Sequence, residues 1–113
     1  LRESAIEAYL RDRVKELGGK AYKFVSPGNT GVPDRMVCLP GGRVVFVELK
    51  APGEKPTKLQ RNRHRELRGF GQIVFGCVDS KADVDLMLRI MNADVTPAET
   101  AKAIEELEMR DVE

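Results

Sequence analysis

GVPDRMVCLPGGRVVFVELK, residues 31–50, has an Asp near one end and Glu-Leu-Lys at the other. Residues 34–39 and 43–50 read as two strands joined by Pro40-Gly41-Gly42, a hairpin signal. If Leu39 faces Arg43, Asp34 lies opposite Glu48. Opposed residues on paired strands hold their Cβ atoms only ~5 Å apart. Two carboxylates so close repel, and burial raises the cost. A divalent cation bound by oxygen ligands resolves the conflict.

Strand alternation adds a second constraint. Val44, Phe46, Glu48 and Lys50 share one face, and Val45, Val47 and Leu49 share the other. Glu48 and Lys50 therefore project together, which sets an ammonium beside a metal-binding carboxylate. A lysine there can orient or deprotonate a water and stabilise a pentavalent phosphate. A metal would lower the pKa of that water. The competing structural reading has Asp34 capping a turn while Glu48 and Lys50 neutralise each other. Glu-x-Lys alone does not decide between the two. The conjunction with an opposing Asp, a helix Glu and a following basic helix favours a site.

The helix Glu comes from residues 3–17. Ile6, Leu10, Val14 and Leu17 follow the helical period, and Gly18-Gly19 ends it. On a helical wheel Glu7 falls about 20° from Val14, beside the apolar stripe. Glu3 lies on the same side, one turn earlier. Glu7 is thus the residue expected to enter the site from the helix, through metal-bound water.

The rest of the chain reads as a regular α/β sequence. KAYKFV, residues 20–25, is a first strand, and SPGNTG, residues 26–31, a turn-rich loop. Thr57 caps a helix over 57–68 that Gly69 ends. QIVFGCV, residues 72–78, is a buried strand. Ser80 with Asp83 opens a helix to about Asn92. Thr96, Pro97 and Glu99 open a last helix with a thin stripe of Ala101, Ile104 and Leu107. Helix, three strands, helix, strand, helix, helix predicts an α/β fold with a mixed sheet of about four strands.

At 113 residues one domain is expected, and 42% hydrophobic with 33% charged residues is globular composition. No apolar run approaches the ~20 residues of a membrane span, and no secretory leader opens the chain. The first residue is Leu1, not Met, as in a trimmed chain. Cys38 and Cys77 sit in strand-like runs and read as buried free thiols in a reducing cytoplasm. The net charge of +1 hides an asymmetry. Residues 1–78 carry 15 Lys or Arg against 8 Asp or Glu, and residues 79–113 carry 4 against 10. A basic body is compatible with a nucleic-acid face.

Gly31-Val32-Pro33-Asp34-Arg35, then Phe46-Val47-Glu48-Leu49-Lys50-Ala51-Pro52, then Leu59-Gln60 closely resemble the virus-type replication-repair nuclease domain (VRR-NUC). That domain is a branch of the PD-(D/E)xK nuclease superfamily. The resemblance covers about residues 3–90. It implies a restriction-endonuclease-like αβββαβ core, with helices flanking a mixed central sheet. The domain would span residues 1–92, with 93–113 an extra C-terminal helical extension outside the matched pattern. By resemblance Glu7 is the helix Glu, Asp34 and Glu48 are the metal carboxylates, and Lys50 is the catalytic lysine. Gln60 is the glutamine of the following helix, placed to bond Lys50 or the attacking water. The implied metal is Mg²⁺ or Mn²⁺, with the Leu49 main-chain carbonyl as a further ligand. Stand-alone members of this size resemble phage or bacterial proteins. They imply a cytoplasmic homodimer that cuts branched DNA such as four-way junctions.

Residues 54–69 are rich in cations. Lys58, Arg61 and Arg65 share one helical side. With Lys55 they form a stripe suited to sequence-blind phosphate contact. The Ser26–Thr30 loop reads either as a phosphate cradle of backbone N–H groups or as a plain connection. His64, the lone histidine, reads as a surface residue more readily than as a base. Arg35 should point away from Asp34. Met36, Met87, Met91 and Tyr22 read as core or interface. The competing functions are a non-catalytic DNA-binding or assembly module, and a flap or RNA nuclease. A restriction enzyme would need a base-reading insertion, and none is visible.

Overall fold

The period of Ile6, Leu10 and Val14 becomes helix α1, Glu3–Glu16, with all three side chains fully buried. The structure, a computed structural model, describes residues 1–92 together with Lys102, Glu105 and Glu106. The Thr96-Pro97-Glu99 cap and the apolar stripe of the expected last helix lie outside the described residues. Gly18, at φ +83°, turns the chain out of α1 while its N–H bonds the Lys15 carbonyl at 2.9 Å.

Four strands follow: β1 (Lys20–Lys23), β2 (Arg35–Leu39), β3 (Arg43–Leu49) and β4 (Val74–Val78). They form one mixed sheet in the order β1-β2-β3-β4, antiparallel except for the parallel pair β3–β4. That parallel pair needs a crossover, supplied by α2 (Lys58–Gly69). Helix α3 (Lys81–Met91) follows β4, with the Ser80 side chain accepting from the Asp83 N–H. Thr57 caps α2 as expected.

All four strands are shorter than the sequence suggested, β2 and β3 by one residue and the outer two by two, for local reasons. β1 stops at Lys23, although the Phe24 N–H still reaches the Asp34 carbonyl, and the Ser26–Asn29 turn follows. β4 starts at Val74, because the Gly71 and Gln72 N–H groups bond the last carbonyls of α2. Gly71, at φ +87°, is the stop that Gly69 was expected to be.

Helices α1 and α3 cover one face of the sheet, where Val37, Val45 and Val47 meet Leu10, Val84, Met87 and Leu88. The Tyr9 hydroxyl donates to Asp85 at 2.7 Å, and Arg13 joins the same carboxylate, tying α1 to α3. Helix α2 packs on β4 and buries His64 completely. The expectation of a surface histidine is therefore corrected. On so polar a helix the imidazole is the residue that can turn inward. Cys38 and Cys77 are free thiols, Cys77 buried and Cys38 half-buried. Met87 is core, whereas Tyr22 is 48% exposed. Among the described residues no helix is long and apolar enough to cross a membrane.

A side chain at Gly19 would drive its Cβ into the Cys38 carbonyl oxygen and against Leu39 and Val14. At Gly69, in helical backbone, nothing lies within 4 Å. Gly19→Ala should therefore lower stability by about 1–3 kcal/mol. Gly69→Ala should be neutral or raise it by up to about 1 kcal/mol. Urea denaturation of the two variants checks the pair. Equal effects would contradict this packing.

Candidate active site

The hairpin register runs from Leu39↔Arg43 to Arg35↔Val47. One place further on, Asp34 faces Glu48, as the sequence predicted. Asp34 sits just outside the ladder, and its Oδ2 accepts the Leu49 N–H at 2.9 Å. The loop before it is docked onto α2. Gly31, at φ +94°, presses on Leu59, and Arg63 donates to the Thr30 carbonyl at 3.0 Å.

Glu48 is 2% exposed. Its Oε2 receives Lys50 Nζ at 3.2 Å and Gln60 Nε2 at 3.2 Å. Its Oε1 is buried with no hydrogen-bond partner among the described residues. Burial, and then the neighbouring Asp34 carboxylate, push the Glu48 carboxyl up to about 8, against the pull of Lys50. The register of β3 against β4 shifts at this point, between Val47 and Leu49. Such irregularities re-aim side chains beside active sites.

Gln60 does two things with one amide. Its Oε1 accepts the Thr57 N–H at 2.9 Å and its own N–H donates to Thr57 Oγ1 at 3.1 Å, a full capping box. Its Nε2 is left to bond Glu48. The assignment is forced by chemistry, since a carboxylate accepts and a backbone N–H donates. Gln60 thus bonds Glu48 and the helix cap, and Lys50 reaches the same Glu48 oxygen.

Glu7 is placed differently from its expected role. Its Oε1 lies 2.7 Å from the Arg35 guanidinium, which is itself nearly buried and also donates to the Ala21 carbonyl at 3.3 Å. Arg35 does point away from Asp34, as alternation requires, and it takes Glu7 with it. Glu3, one turn earlier, also shares the field of Asp34 and Lys50. Burial, then Asp34, raise the Glu3 carboxyl, while Lys50 lowers it. The i, i+4 spacing of Glu3 and Glu7 made both visible, but only tertiary packing tells them apart.

The residues present suit a divalent cation. Asp34 and Glu48 oppose each other, and a buried carboxylate oxygen lacks a donor. The Lys50 N–H bonds the Val78 carbonyl at 3.0 Å, which fixes the plane of the peptide that carries the Leu49 carbonyl. Among the described residues no group of three or more His, Cys, Asp or Glu side chains is gathered for a metal.

The basic stripe on α2 is only partly open. Arg61 folds back to the Pro56 carbonyl at 2.7 Å, and Arg65 donates to Asn62 at 3.0 Å. Lys55 and Lys58 are exposed.

Unfolded glutamate ionises near 4.3, whereas Glu48 in the fold holds its proton to about 8. Between those pH values the unfolded chain binds fewer protons, so metal-free stability should fall as pH rises from about 4 to about 8. Glu48→Gln should flatten that slope and melt higher than the parent at pH 8 in EDTA. Parallel melting curves for the two proteins across this range would refute the assignment. Glu7→Gln, which weakens the partner of a buried guanidinium, should cost about 1–3 kcal/mol. Glu3→Gln should leave stability nearly unchanged and weaken Mn²⁺ binding, read by calorimetry.

No model of a known protein family matches the chain. The chain is 50% identical over 92 residues to "Putative nuclease p44" of Acyrthosiphon pisum secondary endosymbiont phage 1, covering 81% of this chain and 97% of that protein. It also matches a solved structure described as "VRR_NUC domain", with a TM-score of 0.72 and 33% identity, over 79% of this chain and 97% of the other. With the Asp34–Glu48–Lys50 constellation at the end of the hairpin, the chain belongs to the VRR-NUC family of PD-(D/E)xK nucleases.

Proposed function

We propose that the protein is a divalent-metal-dependent, structure-selective DNA endonuclease that hydrolyses phosphodiester bonds. In this reading it is a homodimer that resolves four-way junctions, acting in the cytoplasm of a bacterial or phage-infected cell. The observation that carries the chemistry is Glu48, buried opposite Asp34, bonded on one oxygen and bare on the other.

Asp34, Glu48 and the Leu49 carbonyl would hold Mg²⁺ or Mn²⁺. When bound, the ion supplies charge neutralisation and Lewis-acid activation of water and phosphate. Lys50, 3.2 Å from Glu48 Oε2, stands where it can orient a water or meet charge on the phosphate. Gln60 holds Oε2 in place, so that Oε1 is presented as a ligand. From α1, Glu7 would act through metal-bound water, and Glu3 beside it would add a second carboxylate to this field. The open cations Lys55 and Lys58, with Arg65 beside them, would track the backbone.

Two cuts on a four-way junction need two sites, and one copy of this fold carries one. Phe70, 73% exposed at the end of α2, and Ile73, 43% exposed, are apolar surface that a second copy would cover. A non-catalytic module sharing this fold has no need to keep Asp34, Glu48 and Lys50 in mutual register.

The test uses labelled four-way junction, flap, duplex, single-stranded DNA and RNA, each with Mg²⁺, Mn²⁺ or EDTA. Lys50→Ala should lose at least about 10²-fold in cleavage rate while keeping its fold and DNA binding. Metal-dependent cutting strongest on the junction is the expected result. Binding without cutting of any substrate would favour an assembly module, and preferred cutting of a flap or of RNA would reassign the substrate.

A further inference from the structure

A second cationic surface lies away from the carboxylates. Arg11 and Lys15 of α1, together with Lys20 of β1, line an open cleft of about 420 Å³ floored by Gly19 and Ala21. We propose that this cleft is a phosphate-backbone subsite, which binds a nucleic-acid arm several nucleotides from the scissile bond. The proposal rests on the nuclease reading above and extends its footprint.

The charges converge without compensation. Arg11 and Lys15 are i, i+4 neighbours on one helix face, and like charges at that spacing cost about 0.2–0.5 kcal/mol. Neither they nor Lys20 pair with a carboxylate among the described residues. On the same helix Glu7 meets Arg35, and Arg13 meets Glu16 and Asp85. Lys20 is steadied over the Tyr22 ring at 4.9 Å, which leaves an exposed aromatic edge beside the cleft. The helix dipole accounts for one cation in the last turn, Lys15. It does not account for Arg11, a turn earlier, or Lys20, beyond the helix. The terminal carbonyls of α1 already accept the N–H groups of Leu17, Gly18 and Gly19.

Size and position narrow the ligand. The volume lies in the range of small-molecule sites and suits a hydrated sugar–phosphate unit better than a lone ion. At 1.5 Å rise per residue, Lys15 lies roughly 12 Å along the axis from Glu7 and roughly 18 Å from Glu3. A duplex rises about 3.4 Å per base step, so the offset is about four or five steps. In the sheet order β1-β2-β3-β4, the cleft lies by the β1 edge, while the cations of α2 lie over β4. The carboxylate site is on β2 and β3, between the two basic surfaces. Such an arrangement grips a substrate on both sides of the cut.

The test compares the full-length parent with an Arg11→Gln/Lys15→Gln/Lys20→Gln variant in EDTA, by anisotropy with labelled junction and long duplex over a range of salt. Removing two or three phosphate contacts should make the slope of log K against log salt shallower by about 2–3. Affinity at 100 mM salt should fall by about 10-fold or more. Arg89→Gln, an exposed cation on α3, should change neither. With Mg²⁺, a four-way junction with one arm shortened so that it cannot reach the cleft should be cleaved equally by parent and variant. Unaltered affinity and slope in the variant would overturn the subsite while leaving the nuclease reading intact. Equal losses on the shortened and full junctions would place the effect at the carboxylate site and also overturn it. No nucleic-acid binding by the parent would remove both. Melting temperatures should change little, because relief of like-charge repulsion offsets the lost Lys20–Tyr22 contact.

Discussion

A buried carboxylate facing another carboxylate is a conflict that a small fold does not keep without reason. Glu48 lies at the end of a strand whose neighbours are Val45, Val47 and Leu49, in surroundings that exclude water. Its ionised form is opposed both by that burial and by Asp34. Lys50 and Gln60 satisfy one oxygen only. Much of the architecture around it serves to hold this unstable arrangement. The hairpin register opposes the two acids, the shift between β3 and β4 falls at this residue, and the Lys50 N–H is tied to β4.

Local structure and chemistry share the same atoms at Gln60. The cap that starts α2 orients the amide, and the amide orients Glu48. Helix α2 is otherwise very polar, and a buried His64 and backbone-bonded arginines hold it against β4 and the flanking loops. A helix so poor in apolar residues gains most of its stability from tertiary contacts. Its position, and with it the polar shell of the site, depends on the loop bonds of Arg61 and Arg63 and on the close approach of Gly31 to Leu59.

On the other face of the sheet, the Arg35–Glu7 pair links α1 to β2 one residue from Asp34. Arg35 is nearly buried while Glu7 is partly exposed, so loss of Glu7 leaves a guanidinium short of its partner. The pair therefore acts on the site through position. The helix then runs from the carboxylates to the cationic cleft, so one rigid element sets both the place of cutting and the place of a distant backbone contact.

Much of this was legible beforehand. The alternation of RVVFVELK, the Pro-Gly-Gly turn and the Thr57 cap specify hairpin, register and helix start, because they depend on neighbours a few residues apart. The opposition of Asp34 to Glu48 follows from that register alone. What depends on distant surfaces was not legible. Glu3 and Glu7 occupy one helical side, and only the docking of α1 on β2 gives Glu7 to Arg35 and leaves Glu3 near Asp34. His64 was assigned to the surface, because a basic helix does not announce which residue turns inward. The cleft joins α1 to a strand across a tight glycine turn, and its cations carry no pattern in sequence. Local periodicity and turn chemistry determined the elements and the acid pair. The partner of each remaining charge was settled only by which faces the sheet brings together, since Coulomb attraction and burial act through space and not along the chain.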